Sequence, residues 1–421
     1  MRLPYLLLAI CGACCTLAYR TGVSVALGRR RSIAGMAAEE FVGVCERLGG
    51  AFLKAGQILS TRVDLLPPDA LMVMSRLRDS VQPLPFDSLR PILGPLQGSP
   101  EEPGELEIEP IPLAAATIAQ VHIGTDRCSK KQVAIKIRRP GVDKLLKADV
   151  RLIRLFIALV SRLPRLRRYP LSEAASEVCV ALLHQVDFTA EALMFERFRV
   201  LFADNSNIKV PQVDWPRSSG DLIVMEYLEG YRPFHHFRDQ PEVARSMVVT
   251  GLRALYKMIF NAGLIHCDLH PSNILCNDNG IVAILDLGFV SELAPDARRE
   301  FAQFFLSIAI RDGKSAARVV RETALQIGAH FDAVAFERDM QVLVDKAAGR
   351  KAGEFQVAGF VFDLFEIQRR HGVYGSPSFT LPILSLLAYE GLIKDLHPNV
   401  DFQQEAVPFV LTALASSAKQ A

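Results

Sequence analysis

The sequence predicts an α+β fold of two lobes, with a helical extension before the first lobe. Strand-like runs fall in the middle of the chain, within residues 113–139, 221–230 and 281–285. These runs are bounded by turn residues such as Asn, Asp and Gly. Helical stretches lie on both sides of them, and a chain of 421 residues is long enough for two lobes with separate cores.

The composition is that of an ordinary globular protein. The chain is 50% hydrophobic and 22% charged, and its formal net charge is +2. A balance this close to neutral gives no reason to expect nucleic acid as a partner. The eight cysteines are scattered without a framework spacing, which favours a reducing compartment over a disulfide-bonded scaffold.

The N-terminal segment, residues 1–22, has the composition of a membrane anchor. Residues 3–19 are uncharged and mostly apolar, and a basic cluster, Arg29–Arg31, follows them. Their length is the lower limit for a spanning helix. An interfacial helix, a buried N-terminal helix and a signal peptide are the alternatives, although no clean cleavage site follows. A basic cluster after such a segment fits the cytoplasmic or matrix side of a membrane.

Residues 23–112 are predicted to be a helical extension that ends in a linker. On a helix, Lys54 and Gln57 share one face because they are three residues apart. Glycines such as Gly56 weaken that helix, and close packing against another helix is the favoured explanation for them. Residues 83–112 are rich in Pro, Gly and Glu, which is typical of a linker or an irregular start to the next unit.

Residues 113–228 are predicted to be the small lobe, which begins with a β-hairpin and carries a helical insert. The insert is predicted to contain two helical stretches within residues 142–200. Its second strand carries Val133–Lys136, a sequence that in kinases places the lysine against the α- and β-phosphates of ATP. A helix glutamate must pair with Lys136 to aim it. Glu191 is the candidate for that role, with Glu177 and Glu196 as alternatives.

The first strand of this hairpin supplies the residues predicted to cover the phosphates. It has no glycine-rich loop and carries a run of alanines instead. Alanine also keeps side-chain bulk away from phosphates, but its backbone is less free to fold over them. The residues assigned to nucleotide binding in this run are Ala114, Ala115, Ala116 and Thr117.

Residues 221–230 are predicted to form a strand that ends in a hinge. Extended backbone there would offer the Glu226 carbonyl and the Leu228 amide to an adenine edge. Met225 would form one wall of the nucleotide pocket. An ordinary strand end is the alternative interpretation of this segment.

Residues 229–421 are predicted to be the large lobe. Asp268 precedes Asn273, and Asp286 begins an Asp-x-Gly after an apolar run, which is the order of a kinase catalytic loop and its metal-binding sequence. Asn273 and Asp286 supply the hard oxygen ligands that Mg²⁺ prefers. Asp268 would position or deprotonate an attacking hydroxyl or water. The alternative, a polar turn before a buried strand, does not require this order and spacing.

The chain after Gly288 has no long activation segment. A helix start follows at Pro295, so the platform on which protein kinases bind peptide substrates is not encoded. A protein substrate is therefore disfavoured, and the remainder of the chain is predicted to be helical.

Taken together, the motifs resemble the UbiB family of atypical kinase-like proteins. The resemblance covers residues 40–410, and its most specific parts are the helix of Lys54 and the alanine run. The matching motifs are Lys54-x-Gly56-Gln57, Ala114–His122, Val133–Lys136, His266-x-Asp268-x-His270-x-x-Asn273 and Asp286-x-Gly288.

The resemblance implies that the N-terminal extension folds back over the active site. Lys54 and Gln57 would then lie where a protein substrate would otherwise bind. In the family an acidic Glu-x-Asp sequence pairs with this lysine, whereas this sequence has Gln185 in place of the glutamate. The change removes one negative charge, and Asp187 remains as the predicted partner of Lys54.

The resemblance further implies ATP and Mg²⁺ as cofactors and an ATPase role in ubiquinone or isoprenoid-quinone biosynthesis or in membrane lipid homeostasis. The expected partners are nucleotide, a membrane surface or quinone and lipid intermediates, and a quinone-biosynthesis complex. The expected location is membrane-associated, at the cytoplasmic side of a bacterial inner membrane or at the mitochondrial inner membrane. A non-catalytic nucleotide-gated scaffold and a small-molecule phosphotransferase are the alternative functions.

Overall fold

The computed structural model of the chain describes most of the sequence. The apolar segment predicted at residues 3–19 lies mostly outside the described residues, as does His270 of the catalytic-loop motif. The described residues are 8–9, 12–13, 15–17, 19–21, 32–77, 81–97, 105–162, 170–269, 271–348, 356–394 and 396–418.

The chain divides into two compact units. The first contains Met1–Ala192 and Val213–Tyr227, and the second contains Leu193–Gln212 and Leu228–Ala421. The helical extension therefore falls in the same unit as the strands that the sequence assigned to the small lobe.

Three helices open the described part of the first unit. The first two are separated by Gly49, and Gly50 begins the second; their φ angles of 59° and 53° lie in the left-handed region that favours glycine. The third begins with a proline in its first turn, where the missing N–H is not needed. These helices are α1 (Ile33–Leu48), α2 (Gly50–Ser60) and α3 (Pro68–Met74).

Helix α2 is held by close contacts on two sides. A Cβ atom at Gly56 would lie 2.6 Å from Leu77 Cδ1 and 3.1 Å from Cys45 Sγ, so only glycine fits without a shift of its neighbours. Ala51 packs in a cluster with Ile118, which lies at the end of the alanine run. The prediction of close helix packing at this glycine is confirmed.

Four further helices begin in the first unit. The sequence predicted two helical stretches between residues 142 and 200, whereas the structure has three helices there. The extra break falls just before Asp187, because its Oδ1 accepts a hydrogen bond from the Ala190 N–H at 3.0 Å and caps a new helix. The four helices are α4 (Arg90–Gln97), α5 (Val142–Val160), α6 (Leu171–His184) and α7 (Phe188–Leu201).

An antiparallel sheet of five strands completes the first unit. Its order is β1-β3-β4-β6, and β2 pairs with β3. On one face Ile135 and Ile137 are buried against Leu89 and Leu93. Because side chains alternate along a strand, Lys136 points to the opposite face. The strands are β1 (Leu106–Ile108), β2 (Ala114–Ala115), β3 (Ala119–Asp126), β4 (Gln132–Arg138) and β6 (Leu222–Glu226).

Strand β1 favours the second interpretation of residues 83–112, an irregular start to the next unit, over that of a linker. Leu106 and Ile108 are buried on the core face of the sheet, and Glu107 between them is exposed. Three residues are too few to show the two-residue period of a strand in the sequence. In the structure all three pair with β3.

Arg62 forms a buried ionic group at the end of α2. Its side chain is 7% exposed and contacts Asp64 at 2.7 Å and Glu177 of α6 at 2.8 Å. Burial raises the pKa of Glu177, although Arg62 opposes that shift. The group ties the helical extension to α6 within the first unit.

The second unit is mostly helical. Its core is rich in aromatic side chains, including Tyr256, Phe260, Phe301 and Tyr389, which are wholly buried. The helices are α8 (Pro241–Tyr256), α9 (Pro295–Ala309), α10 (Gly313–Glu322), α11 (Ala333–Ala348), α12 (Val357–His371), α13 (Pro377–Ile393) and α14 (Phe402–Ala418), and a short π-helix, Lys257–Ala262, extends α8.

Short strands of the second unit form three small sheets. One has the order β5-β10-β9-β7, and the other two are the pairs β8–β11 and β12–β13. The strands are β5 (Ile208–Lys209), β7 (Arg232–Pro233), β8 (Leu264–His266), β9 (Ile274–Cys276), β10 (Val282–Ile284), β11 (Val290–Glu292), β12 (Ala324–Ile327) and β13 (Val373–Gly375).

The β12–β13 pair shows that the prediction of an all-helical end to the chain is wrong. Ile327 pairs with Val373, so the two strands join segments far apart in the sequence. Among the described residues, no single helix is both long and apolar enough to cross a membrane, and only the bent pair α6 and α7 meets that test of length and composition when taken together.

Replacing Arg62 with methionine should lower the free energy of unfolding by about 3–5 kcal/mol, because Asp64 and Glu177 would be left without their cation in a buried site. Urea denaturation of the full chain measures the change. Arg90→Met is the matched control, since Arg90 and Asp87 form an ion pair that is 70% and 80% exposed. The control should lose no more than about 1 kcal/mol, and equal losses for both variants would contradict the structural role of Arg62.

Candidate functional site

The strand lysine and the helix glutamate of the first unit form a buried ion pair. Lys136 Nζ lies 2.6 Å from Glu191 Oε1, and the two side chains are 13% and 1% exposed. Glu177 and Glu196, the alternatives from the sequence, pair with arginines instead. An ammonium group held in this way is oriented by its carboxylate partner, as phosphate binding requires.

Lys136 shares a sheet face with two other residues predicted to contact nucleotide. It is opposite Val121 on β3 and Ile223 on β6, and Val121 is opposite Ala114 on β2. Met225 lies two residues beyond Ile223 and so points to the same face. The structure thus brings Ala114, Lys136 and Met225 to one side of the sheet.

The rest of the alanine run forms a tight turn. Ala115 ends β2, and the Ala116 N–H donates a hydrogen bond of 2.8 Å to the Ala119 carbonyl. Thr117 lies inside this turn. The sequence predicted one long strand here, whereas a two-residue strand and a turn occur because this backbone hydrogen bond reverses the chain.

Glu226 and Leu228, the residues predicted to face adenine, lie two positions apart where β6 ends. Glu226 is the last residue of the strand and is opposite Val133. Leu228 begins the stretch of chain that belongs to the second unit. Their contacts with an adenine edge stay a prediction.

Helix α2 carries a buried amide without a partner among the described residues. Gln57 Nε2 and Oε1 are both shielded from solvent, and neither has a hydrogen-bond partner there. Such an amide is costly, and it indicates a position suited to a bound polar group. Asp187, the predicted partner of Lys54, uses its Oδ1 to cap α7, and its pairing with Lys54 stays a prediction.

In the second unit, the predicted metal ligands leave the β9–β10 hairpin at the same end. The strands are antiparallel, with Ile274 opposite Ile284. One step further, the Leu285 N–H donates a hydrogen bond of 2.8 Å to the Asn273 carbonyl. Asn273 and Asp286 are therefore neighbours across the end of one small ladder.

The Asn273 side chain joins the catalytic loop to this hairpin. Its Nδ2 donates a hydrogen bond of 3.0 Å to the Asp268 carbonyl, and its Oδ1 accepts one of 3.2 Å from Ser272 Oγ. The residue is 8% exposed. The structure therefore brings Asp268, Asn273 and Asp286 together within the second unit.

Asp286 adopts a backbone conformation that is uncommon for a residue with a side chain. Its φ angle is 51°, in the left-handed region where Asp and Asn are enriched over other non-glycine residues. Its Oδ1 accepts a hydrogen bond of 3.3 Å from the Gly288 N–H. Such strained positions cluster at functional sites.

His266 links the loop to the hairpin, and sequence reasoning missed this role. The ring is fully buried; its Nδ1 accepts from the Asp268 N–H and its Nε2 donates to the Leu285 carbonyl, each at 3.2 Å. Only the neutral imidazole can accept at one nitrogen and donate at the other. Burial lowers the pKa of His266. The position of His266 two residues before Asp268 was the available sequence signal.

Ser385 of α13 makes a further contact with His266, and no sequence pattern predicted it. Its buried hydroxyl donates a hydrogen bond of 2.6 Å to the His266 carbonyl, across 119 residues of sequence. Helix α13 thereby holds the end of β8, from which the catalytic loop starts.

The donor set at the hairpin fits Mg²⁺. Asn273 Nδ2 is turned to the Asp268 carbonyl, which leaves the amide oxygen and the Asp286 carboxylate as the hard ligands that Mg²⁺ prefers. Among the described residues, no group of three or more His, Cys, Asp or Glu side chains could hold a metal ion. Mg²⁺ sites with few protein ligands complete their coordination with water and substrate phosphates.

The buried imidazole of His266 predicts a specific pH dependence of stability. Its pKa is lowered from the ordinary value of 6.5, so below that pH the unfolded chain binds a proton that the folded chain does not. The free energy of unfolding should therefore fall as the pH drops below 6.5 towards the folded pKa. Urea denaturation between about pH 8 and about pH 5 covers the range in which histidine titrates.

His266→Gln should remove this part of the pH dependence, because glutamine donates and accepts without titrating. The matched control is His330→Gln, since His330 lies exposed on a turn. A His330 variant that flattens the profile as much as the His266 variant would contradict the assignment.

Comparison with known proteins also indicates a kinase-like domain. A family model for the ABC1 atypical kinase-like domain matches residues 76–320. The chain is similar to a probable protein kinase UbiB from Marinobacter nauticus, with 29% identity over 87% of this chain and 68% of that protein. The corresponding protein of Shewanella denitrificans is 30% identical over 89% of this chain and 69% of its own length. The chain thus spans about two thirds of each of these relatives.

The fold is also similar to a solved structure. The structure of Rv3197 from Mycobacterium tuberculosis in complex with erythromycin covers 92% of this chain and 97% of its own, with a TM-score of 0.60 and 19% identity. The match of the family model to more than half of the chain decides the assignment. The chain belongs to the ABC1 family of atypical kinase-like proteins, which includes the UbiB proteins.

Proposed function

We propose that this chain is an ATP-dependent enzyme of the UbiB type. It would bind ATP with Mg²⁺, hydrolyse it, and support ubiquinone or isoprenoid-quinone biosynthesis or membrane lipid homeostasis. The observation that carries the proposal is the end of the β9–β10 hairpin, where Asn273 is hydrogen-bonded to the Asp268 carbonyl and to the N–H of Leu285, the residue before Asp286. The names of the UbiB relatives support the quinone context.

Lys136 would hold the phosphates of the nucleotide in this proposal. Its pairing with Glu191 at 2.6 Å fixes the direction of the ammonium group. Lys136 Nζ also lies over the ring of Phe188, 5.5 Å from the ring centroid. A positive charge with little access to water binds phosphate oxygens more strongly than an exposed one does. Met225 and Ala114, on the same sheet face, would contact the nucleotide through apolar surface.

Asn273 and Asp286 would hold Mg²⁺ through one amide oxygen and one carboxylate. When bound, the metal would neutralise charge on the phosphate oxygens. Asp268 would orient an attacking water or hydroxyl and accept its proton at the carboxylate. Both backbone groups of Asp268 are fixed, the N–H by His266 and the carbonyl by Asn273, so its side chain starts from a defined position.

The location and partners belong to the same proposal. The apolar character of residues 3–19 in the sequence supports association with a bacterial or mitochondrial inner membrane. Apolar quinone and lipid intermediates do not leave a membrane easily. A membrane position would therefore give the chain access to these intermediates and to a quinone-biosynthesis complex.

A nucleotide-gated scaffold is the second candidate function. It is favoured by the alanine run, which replaces the glycines that let a loop fold over phosphates, and by the fixed turn between Ala116 and Ala119. This alternative requires nucleotide binding without phosphate release.

Asp286→Asn should abolish the thermal stabilisation that Mg²⁺ and ATP give to the full chain, because a neutral amide replaces the anionic ligand. Asparagine tolerates the positive φ of 51° at this position, so the backbone can be retained. Thermal shift with Mg²⁺-ATP measures the loss.

Asp278→Asn is the control for that measurement. Asp278 lies exposed in the turn of the same hairpin and pairs with Arg232. This variant should keep the full thermal shift. An unchanged shift in Asp286→Asn would remove the metal role.

Asp268→Asn should preserve binding of Mg²⁺-ATP and lower phosphate release by about 10²–10⁴-fold, the usual contribution of a positioned acid or base. Release of phosphate by the wild-type chain with lipid vesicles and a quinone-precursor analogue is the reference. Binding without any release by the wild-type chain would support the scaffold instead.

A further inference from the structure

An apolar cavity lies within the second unit, among the ends of α8, α9, α12, α13 and α14. It measures about 100 Å³, and about 790 Å³ when its solvent-open mouth is included. None of the described residues that line it is charged. An apolar cavity stays dry, and its walls lose dispersion contacts for as long as it is empty.

Of the described residues that line the cavity, two have polar side chains, Tyr256 and Gln403. Tyr256 is wholly buried, and its hydroxyl donates a hydrogen bond of 2.6 Å to the Phe402 carbonyl. The nearest charged residue of α14, Glu405, pairs with Arg253 at 2.6 Å and does not line the cavity. Water therefore finds few hydrogen-bonding partners in this space.

Gln403 is the exception among the residues that line the cavity. Its Nε2 is shielded from solvent and has no hydrogen-bond partner among the described residues. A buried amide donor without an acceptor is costly. A rotation of the terminal amide would present this donor to an oxygen atom in the cavity.

The mouth of the cavity is apolar as well. Val407 and Leu411 of α14 line it and remain 48% and 56% exposed. Ala309, at the end of α9, also lines it and is exposed. An α-helix is about 10–12 Å across with its side chains, which is too wide for the inner cavity, so the shape favours a slender chain.

We infer that this cavity binds one aliphatic lipid chain, prenyl or acyl, that carries an oxygen acceptor for Gln403 Nε2. The apolar walls select the chain, Val407 and Leu411 cover the part that emerges, and the amide donor of Gln403 selects an oxygen on the bound chain. The site lies in the second unit, the residues that line it do not include those proposed to bind Mg²⁺, and the inference does not rest on nucleotide binding.

Isothermal titration calorimetry of the full chain with two ketones tests the site. Geranylacetone and 2-undecanone share a methyl ketone and a backbone of equal length, but one is a prenyl chain and the other is straight. Saturable binding of one ketone molecule per chain is expected. Tighter binding of geranylacetone assigns a prenyl source, and tighter binding of 2-undecanone assigns an acyl source.

Two variants and a control locate the binding. Gln403→Met keeps the size of the side chain and removes the donor, so affinity for the ketones should fall by about 2- to 10-fold, the usual range for one hydrogen bond. Gln404→Met is the matched control, because Gln404 is exposed on the same helix turn and should leave affinity unchanged. Ala309→Phe should block the mouth and abolish saturable binding.

Three results would overturn the inference. The first is that neither ketone binds saturably to the wild-type chain. The second is that Gln403→Met and Gln404→Met weaken binding equally, or that Ala309→Phe leaves binding intact. The third is self-association that Ala309→Phe abolishes while ketones do not bind, which would assign the apolar mouth to a second copy of the chain.

Discussion

One neutral imidazole fixes the candidate site of the second unit. The His266 ring stands between the Asp268 N–H and the Leu285 carbonyl, so it joins the loop that carries the proposed base to the strand end that precedes Asp286. Protonation would remove the acceptor at Nδ1, and a smaller side chain would leave two buried backbone groups unpaired. The fully buried position makes both changes costly, and the geometry of the three candidate residues Asp268, Asn273 and Asp286 therefore depends on one ring.

The arrangement at the hairpin could be predicted from the sequence because it is local. Asn277–Gly280 is a turn signal between two short apolar runs, and the turn closes with the Gly280 N–H bonded to the Asn277 carbonyl at 2.9 Å. A turn at this position places Asn273 and Asp286 at the same end. The sequence favours Glu191 as the partner of Lys136 but leaves Glu177 and Glu196 as alternatives, because each is a glutamate in a helical stretch, and only the contact in the structure decides among them.

Contacts between distant segments could not be predicted. Ser385 is 119 residues from His266, and neither residue type signals the other. Strands β1, β12 and β13 have three or four residues each, which is too short for periodicity to separate them from loops. The break before α7 coincides with Asp187, whose side chain caps the new helix, and a preference for capping competes with continuation of a helix. These elements depend on tertiary pairing or capping contacts that sequence periodicity does not show.

The central claim is that Asn273 and Asp286 hold the metal of a bound nucleotide. A crystal structure of the full chain with Mg²⁺ and a non-hydrolysable ATP analogue tests it most directly. The account predicts Mg²⁺ coordinated by Asn273 Oδ1 and an Asp286 carboxylate oxygen at about 2.0–2.1 Å. A metal bound elsewhere, or a nucleotide whose phosphates do not approach the metal held by these two residues, would contradict it.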